Sequence, residues 1–411
     1  MIKAQRGTKD IYNEESLTWQ WIYDNAKNVF TQACFQEIKT PIFEATELFA
    51  RGVGDSTDIV NKEMYTFSVG GLSKDETSIT LRPENTAGVV RAYIEHNLNR
   101  QSPPQKFWYF GPMFRYERPQ AGRQRQFHQL GVEMFGISDA SADAEVILTA
   151  VEFLKSVGLG NLEVELNSLG CSKCKNEYRN SIKEVLNPYL NELCDDCKMR
   201  YEKNPLRILD CKNEDCQKIF EKPEVKKVIL SDYICDDCKE HFETLISYLD
   251  ELKIKYSINK MLVRGLDYYN RTVFEIKSSS LGSQSAVCGG GRYDGLVEML
   301  GGVPTPAIGF AMGVERLYTL VNKIQPQKID YYIVSQNIKE ALKLTRILRE
   351  HGKTVDFDMQ KRKWVKQLEK ASKIAKSAIL LGEDEINQGF YSVKNLETGK
   401  QIKVNKIEEL C

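Results

Sequence analysis

No apolar run in the 411-residue sequence approaches the roughly 18 residues that would cross a bilayer. Its first residues, MIKAQRGTKDIYNEES, carry no apolar stretch of the kind a secretory signal needs, so the expected compartment is the cytoplasm. Neither sign of charge is in excess. Lys+Arg and Asp+Glu both number 57, which argues against a protein that coats nucleic acid by charge alone but permits a basic surface on one domain. Internal repeats and low-complexity tracts are lacking too. Without an export signal, the eleven cysteines read as reduced thiols or metal ligands, not as a disulfide framework. What is present is an ordinary globular composition, 42% apolar and 28% charged, in a chain long enough for two or three domains.

Helical spacing of Trp19, Ile22, Ala26 and Phe30 predicts a helix from Ser16 to about Phe35, followed by a short strand in EIKTPIFEAT that Pro41 interrupts. A strand over Ser78–Leu81 runs into a Pro-containing turn, with Thr86 as the expected cap of the next helix. Lys106–Glu117 and Phe127–Phe135 read as an antiparallel hairpin whose long loop, RPQAGRQRQ, is basic. Residues 170–250 change character, with paired cysteines and helical patterns, and read as a small inserted domain. Strand-like sequence resumes at SINKMLVRGLDYYNRTVFEIK. The segment AIGFAMGVERLYTLV is expected to be a helix with Gly309 and Gly313 on one face. Beyond QPQK, strand and helix alternate through DYYIVS, ALKLTRILREHG, KTVDFDM, KWVKQLEKASKIAK and SAILLG, the pattern of a separate α/β domain over 328–411 with a mixed or parallel sheet.

Counting by twos puts Arg115 and Glu117 on one face of the first hairpin strand. On the second strand Phe127, Gln129, Gly131 and Glu133 share a face, and His128, Leu130, Val132 and Met134 the other. The polar face could simply meet water. It could also floor a ligand pocket in which Gly131 leaves room, Phe127 stacks on a planar base and Arg115 grips a phosphate. LRPENT sets Glu84 and Thr86 beyond a strand end, and LVRGLDYYNRTVFE gathers Arg264, Asp267, Tyr268 and Tyr269 in one turn. GVERL sets Arg316 on a helix.

FRYERPQAGRQRQFHQLGVEMFG resembles motif 2 of class II aminoacyl-tRNA synthetases, AIGFAMGVERL their motif 3 and FQEIKTPIFEATELF their motif 1. LVRGLDYYNRTVFE and CGGGRYDGL resemble the two signature peptides of the histidyl-tRNA synthetase family, and the likeness runs in order along essentially the whole chain. The resemblance implies an α+β and α/β multidomain protein. Its antiparallel-sheet catalytic domain would comprise residues 1–169 and 251–324, with the helical insertion at 170–250 and a C-terminal anticodon-binding domain. It implies ATP with Mg²⁺, L-histidine and tRNA(His) as substrates, and a homodimer formed through motif 1 with Pro41 near the interface. By similarity, Arg115 and Arg264 would be the catalytic cations at the α-phosphate. Glu117, Arg123, Phe127 and Arg316 would complete the ATP site, Phe127 by stacking on adenine. Glu84, Thr86 and Gln129 would meet the histidine ammonium and Glu133 and Tyr269 its imidazole, with Arg264 and Tyr268 completing the histidine site. A carboxylate and a phenol suit the one donor and one acceptor of a neutral imidazole. A site of such buried polar partners rejects analogues well enough to work without editing, and no editing segment is evident. Gln120 and Arg125 are candidates for contact with the tRNA acceptor end.

The rival from another class is a histidine-binding regulatory paralogue of ATP phosphoribosyltransferase. The presence of Arg115, Arg264 and the C-terminal α/β segment counts against it. Lys363, Lys366, Lys370 and Lys373, preceded by Lys361 and Arg362, form a basic helix stripe able to meet phosphates. The insert holds Cys171/Cys174, Cys194/Cys197, Cys211/Cys216 and Cys235/Cys238. Two such pairs converging would make a tetrahedral structural zinc site, and four pairs leave one site or two open. Cys34, Cys288 and Cys411 are expected to be unpaired.

Overall fold

A computed structural model of the chain describes residues 1–54, 57, 59–69, 77–119, 123–278 and 286–411. Gln120 lies outside the described residues. The chain divides into two compact units, Met1–Ile324 and Gln325–Cys411.

In the first unit, eight strands of the described residues form one sheet: β1 (Gln36–Glu37), β2 (Gln105–Phe114), β3 (Gln126–Phe135), β4 (Leu162–Ser168), β5 (Tyr256–Ile258), β6 (Asn270–Ser278), β7 (Ala286–Arg292) and β8 (Ala307–Gly313). Their order is β1-β2-β3-β8-β7-β6-β4-β5. All neighbours are antiparallel except the edge pairs β1–β2 and β4–β5. One face is apolar. Leu130, Val132 and Met134 of β3, Ile308, Phe310 and Met312 of β8, and Phe274 and Ile276 of β6 pack under the helices Asn13–Gln32 and Ala140–Ser156. The first of these helices buries Trp19, Ile22, Ala26 and Phe30, the stripe its spacing predicts.

Three expectations need correction. AIGFAMG is strand β8, and only Val314–Leu320 is helical. Ile308, Phe310 and Met312 alternate with Gly309, Ala311 and Gly313; a helix would scatter those bulky residues around its axis, whereas a strand aims all three at the core. β2 ends at Phe114, so Arg115 and Glu117 lie past the strand instead of sharing its face. The helix after LRPENT spans Thr86–Glu95 with Asn85 at its N-cap, so Thr86 is its first residue. The carboxylate of Glu84 does the capping, accepting from the N–H groups of Thr86 at 2.7 Å and Ala87 at 2.9 Å.

The sheet's other face is narrow-shouldered. Gly131, Ala311 and Gly289 pair across β3, β8 and β7, and Glu133, Gly309 and Gly291 form the next row. The small residues Gly289, Gly309 and Ala311 floor a trough beside Glu133. A three-stranded sheet (Phe43–Ala45, Tyr65–Val69, Thr77–Leu81) brings Arg82 and Glu84 to its rim. Arg82 is buried and ties that rim to Pro112 and Thr40 through hydrogen bonds of 2.9 and 3.0 Å. Between Ser172 and Glu251 the same unit is helical, and Ile182, Leu186, Ile208, Phe220 and Ile229 belong to a separate apolar cluster there.

The second unit follows the alternation of its sequence. Strands Val355–Phe357, Ile329–Val334 and Ala375–Leu380 are parallel, and Tyr391–Asn395 and Gln401–Val404 continue the sheet antiparallel. The basic stripe lies at and on the helix Trp364–Ile374. It is partly answered by the unit's own acids: Lys366 pairs with Glu369, Lys370 with Asp356 and Arg362 with Asp358.

Candidate functional site

The trough opens into a cavity of about 240 Å³ whose lining includes Glu84, Thr86, Gln129, Glu133, Tyr268 and Tyr269. Arg115, Phe127 and Arg264 line this cavity and also a second, adjoining one, to which Glu117, Arg123 and Arg316 contribute. Guanidinium groups from β2's end, from the Arg264–Tyr269 turn and from the helix after β8 therefore converge.

Each arginine has a visible support. Arg115 donates to the carbonyl of Pro83 at 2.9 Å and its guanidinium lies 5.2 Å from the Phe127 ring centre. The Glu117 carboxylate sits between Arg115 at 3.8 Å and Arg123 at 3.4 Å. Arg264 is ion-paired with Glu275 on β6. A Cβ on Gly289 would fall 2.1 Å from Arg264, so that glycine is required by the arginine's path across the sheet. Burial first, and then the neighbouring Arg123, disfavour the charge on Arg316, so two like charges are held together on the side of the cavity away from Glu133. Such an arrangement favours an anion. Arg125, by contrast, lies over Tyr116 at 4.0 Å and donates to the Glu117 carbonyl at 3.3 Å.

The inner end is polar and dry. Glu133 is 1% exposed, and Thr86 Oγ1 donates to it at 2.7 Å, with Tyr293 and Tyr109 as further donors. Burial outweighs those hydrogen bonds and pushes its carboxyl up to about 8. Glu84 is also raised by burial, against the two N–H groups that cap it and the nearby Arg115. Burial pushes the Tyr269 phenol up to about 12 and those of Tyr109, Tyr268 and Tyr293 well above their usual range, so all four stay protonated donors. Gln129 Oε1 is buried without a hydrogen-bond partner, an acceptor available to a ligand donor.

The space beside Gly131 is not left for a ligand: a Cβ there would meet the Tyr109 ring and the Phe310 carbonyl at 2.5 Å. The cross-strand partner Tyr109 fills it and reaches Glu133. Tyr109 and Tyr293 were not among the candidates from sequence. Tyr293 lies within the CGGGRYDGL peptide, which was a signal for it. Tyr109 gave none, because its role depends on the register of β2 against β3. Arg292 of the same peptide is fully buried elsewhere, bound to Asp143 at 2.7 Å, while His241 of the insert contacts Asp143 at 3.4 Å.

The cysteines of the insert gather into two quartets, Cys171/Cys174/Cys235/Cys238 and Cys194/Cys197/Cys211/Cys216. Either could hold a metal ion. Among the described residues all eleven cysteines are free of disulfides. No helix of the described residues is long and apolar enough to cross a membrane.

The histidyl-tRNA synthetase family model matches residues 7–174 and 216–317, and an anticodon-binding domain model matches 325–410. A histidine–tRNA ligase of Halothermothrix orenii is 48% identical, covering 100% of this chain and 99% of that protein. One from Thermodesulfovibrio yellowstonii is 47% identical over 98% and 97% of the two chains. The crystal structure of the apo S. aureus histidyl-tRNA synthetase superposes with a TM-score of 0.81 at 36% identity, covering 100% of this chain and 98% of that one. The chain belongs to the histidyl-tRNA synthetase family.

Proposed function

We propose that the chain activates L-histidine with ATP to histidyl-adenylate and transfers the histidyl group to the 3′ end of tRNA(His). The observation that carries this reading is the pair Arg115 and Arg264, shared by a small carboxylate- and phenol-lined cavity and by the arginine-rich one beside it. In the first step a histidine carboxylate oxygen bonds to the α-phosphorus as the bond to the β-phosphate oxygen breaks and pyrophosphate leaves. An anion attacks an anion, so two fixed cations at the reacting phosphate lower the barrier where charge builds up. Arg115 and Arg264 take that role. Arg123, Arg316 and Glu117 hold the rest of the nucleotide, Phe127 stacks on adenine, and Mg²⁺ accompanies the β- and γ-phosphates. A terminal ribose hydroxyl of the tRNA then bonds to the adenylate carbonyl carbon and AMP departs.

Glu84, Thr86 and the unpartnered Gln129 Oε1 receive the histidine ammonium. Glu133 accepts from the imidazole N–H, and Tyr269, with Tyr268 beside it, donates to the other ring nitrogen. Residues 1–169 and 251–324 act as the catalytic domain around the insert 170–250, and 328–411 bind the anticodon end through Lys361, Lys363 and their neighbours. Arg125, stacked on Tyr116, is placed beside the acceptor end. The protein works in the cytoplasm as a homodimer; Pro41, Ile42 and Phe43 are exposed in a row, an apolar edge that a second copy would cover. The anticodon-domain match over 325–410 favours the ligase over a regulatory histidine sensor.

The test is ATP–pyrophosphate exchange with each of the twenty amino acids. Exchange should depend on histidine alone, and Arg264→Ala should nearly abolish it while circular dichroism and histidine binding persist. Exchange driven by another amino acid, or wild-type exchange in Arg264→Ala, would refute the reading.

A further inference from the structure

We propose that the insert binds two zinc ions, one in each cysteine quartet, and that together they hold the Arg264–Tyr269 turn in place. A tetrahedral Cys₄ site with Zn–S near 2.3 Å sets its sulfurs about 3.8 Å apart. Within each quartet all four Sγ atoms lie within 4.8 Å of one another, with Cys171–Cys174 at 3.6 Å and Cys194–Cys211 at 3.8 Å. These are the edges of a metal-sized tetrahedron and far exceed the roughly 2.05 Å of a disulfide.

The backbone is arranged for thiolates. Cys171, Cys194 and Cys235 each occupy a helix N-cap, and Cys174, Cys197 and Cys238 lie in the first turns of the same helices. Cys216 lies in the first turn of the helix Glu214–Phe220. Positive helix ends favour sulfur in its charged form. N–H groups are also aimed at sulfur across each quartet: Cys171 N to Cys238 at 3.2 Å, Cys235 N to Cys174 at 3.1 Å and Cys194 N to Cys216 at 3.4 Å. Four sulfurs so close and so placed suit a soft cation between them, and a closed tetrahedral set of four cysteines is the ligand set of structural zinc.

The two sites are concentric in the chain. The outer one joins Cys171 to Cys238 at the neck of the insert, where Gly170, at φ +68°, leads in from β4. A clip there closes a long loop, which is where a crosslink restrains the chain most. The inner one fastens the turn Pro205–Asp210. Each reaches the same target. Lys175, next to Cys174, donates to the carbonyls of Asp267 and Tyr269, both at 2.8 Å. Asn204, between Cys197 and Cys211, donates to the Asp267 carboxylate at 2.5 Å. Lys175 and Asn204 are thus positioning residues for the turn that carries Arg264. That link to substrate rests on the function proposed above; the metal sites themselves do not.

The experiment counts zinc in the desalted full-length protein by plasma mass spectrometry. Two ions per chain are expected, one in Cys238→Ser and one in Cys216→Ser. The double variant Cys174→Ser/Cys238→Ser should still hold one, and none there would overturn the pairing. Wild type holding no zinc after purification and zinc addition would overturn the sites. Should variants fail to fold, cobalt substitution of the wild type keeps the proposal testable: two equivalents per chain with thiolate-to-cobalt absorption are expected, and no such band refutes it. Lys175→Met should keep both ions, raise the histidine KM about tenfold through Tyr269 and lower kcat through Arg264. Wild-type kcat and histidine KM in this variant would remove the positioning role. Zinc is counted without substrate, so the metal assignment and the proposed function fail separately.

Discussion

Histidine binding should release a proton. Burial raises the Glu133 carboxyl to about 8, so at pH 7 it is ionised in roughly one molecule in ten. A neutral imidazole that donates its N–H to this group needs the carboxylate, and ionising it at pH 7 costs about 1.4 kcal/mol. Free histidine becomes neutral at its ring above about 6.5. Between about 6.5 and 8 the dissociation constant for histidine should therefore fall about tenfold per pH unit, and level off above. In the ligand-free protein the sign is opposite to that of a salt-bridged acid. The folded state holds this proton more tightly than the unfolded chain, so the group's contribution to stability is lost as pH rises from about 4.5 to about 8. Titration calorimetry in two buffers of different ionisation enthalpy reads the released proton directly, close to one per histidine at pH 7. Glu133→Gln, which keeps an acceptor oxygen but cannot titrate, should bind more weakly with a flat profile over that window. A flat wild-type profile would mean that carboxyl and ring share one proton, and the neutral-imidazole arrangement would be refuted; so would a Glu133→Gln variant with the wild-type slope.

Tyr293→Phe removes a donor to the Glu133 carboxylate, so the pH at which histidine affinity levels off should rise by about one to two units. Gly289→Ala puts a methyl 2.1 Å from the far end of the Arg264 side chain, which must shift away from Glu275, so thermal stability should fall less than pyrophosphate exchange, which drops on the order of 100-fold. Gly290→Ala meets the fixed carbonyl of Gly309 at 2.2 Å instead, and should lower the melting temperature. Asp143→Ala leaves the buried Arg292 guanidinium with Asp294 at 3.2 Å and the carbonyls of Ile137 and Asp139, and should cost roughly 1–3 kcal/mol in denaturant unfolding.

Much of the site was legible because strands alternate. The face Phe127, Gln129, Glu133 follows from period two in β3, and the structure turns that face toward the cavity. The same rule was available for AIGFAMG, yet Gly and Ala at every second place resemble a close-packing helix face until the bulky Ile308, Phe310 and Met312 are given a common core to fill. Strand ends were less legible. Nothing local marks Phe114 as the last strand residue; Arg115 N still bonds to Arg125 O at 2.8 Å, but Glu117 N turns back onto the Arg115 carbonyl at 2.8 Å and the alternation stops.

Contacts between distant segments were the illegible part. Gly131 signals an empty place, but what fills it is Tyr109 from the neighbouring strand. A single chain does not disclose such a cross-strand neighbour before its register is known. The cysteines make the same point. Four pairs can be joined two by two in three ways, and spacing ranks none of them. The fold selects the nested arrangement because β4 leads into the insert and β5 follows it, the two paired in parallel: Val164 N bonds to Lys255 O at 3.0 Å and Asn259 N to Leu166 O at 2.9 Å. With its ends pinned there, the first and last pairs meet at the neck and the middle pairs have only each other. The architecture of the sheet thus decides the chemistry of the insert, and a change that frays β4 from β5 should loosen the outer quartet before the inner one.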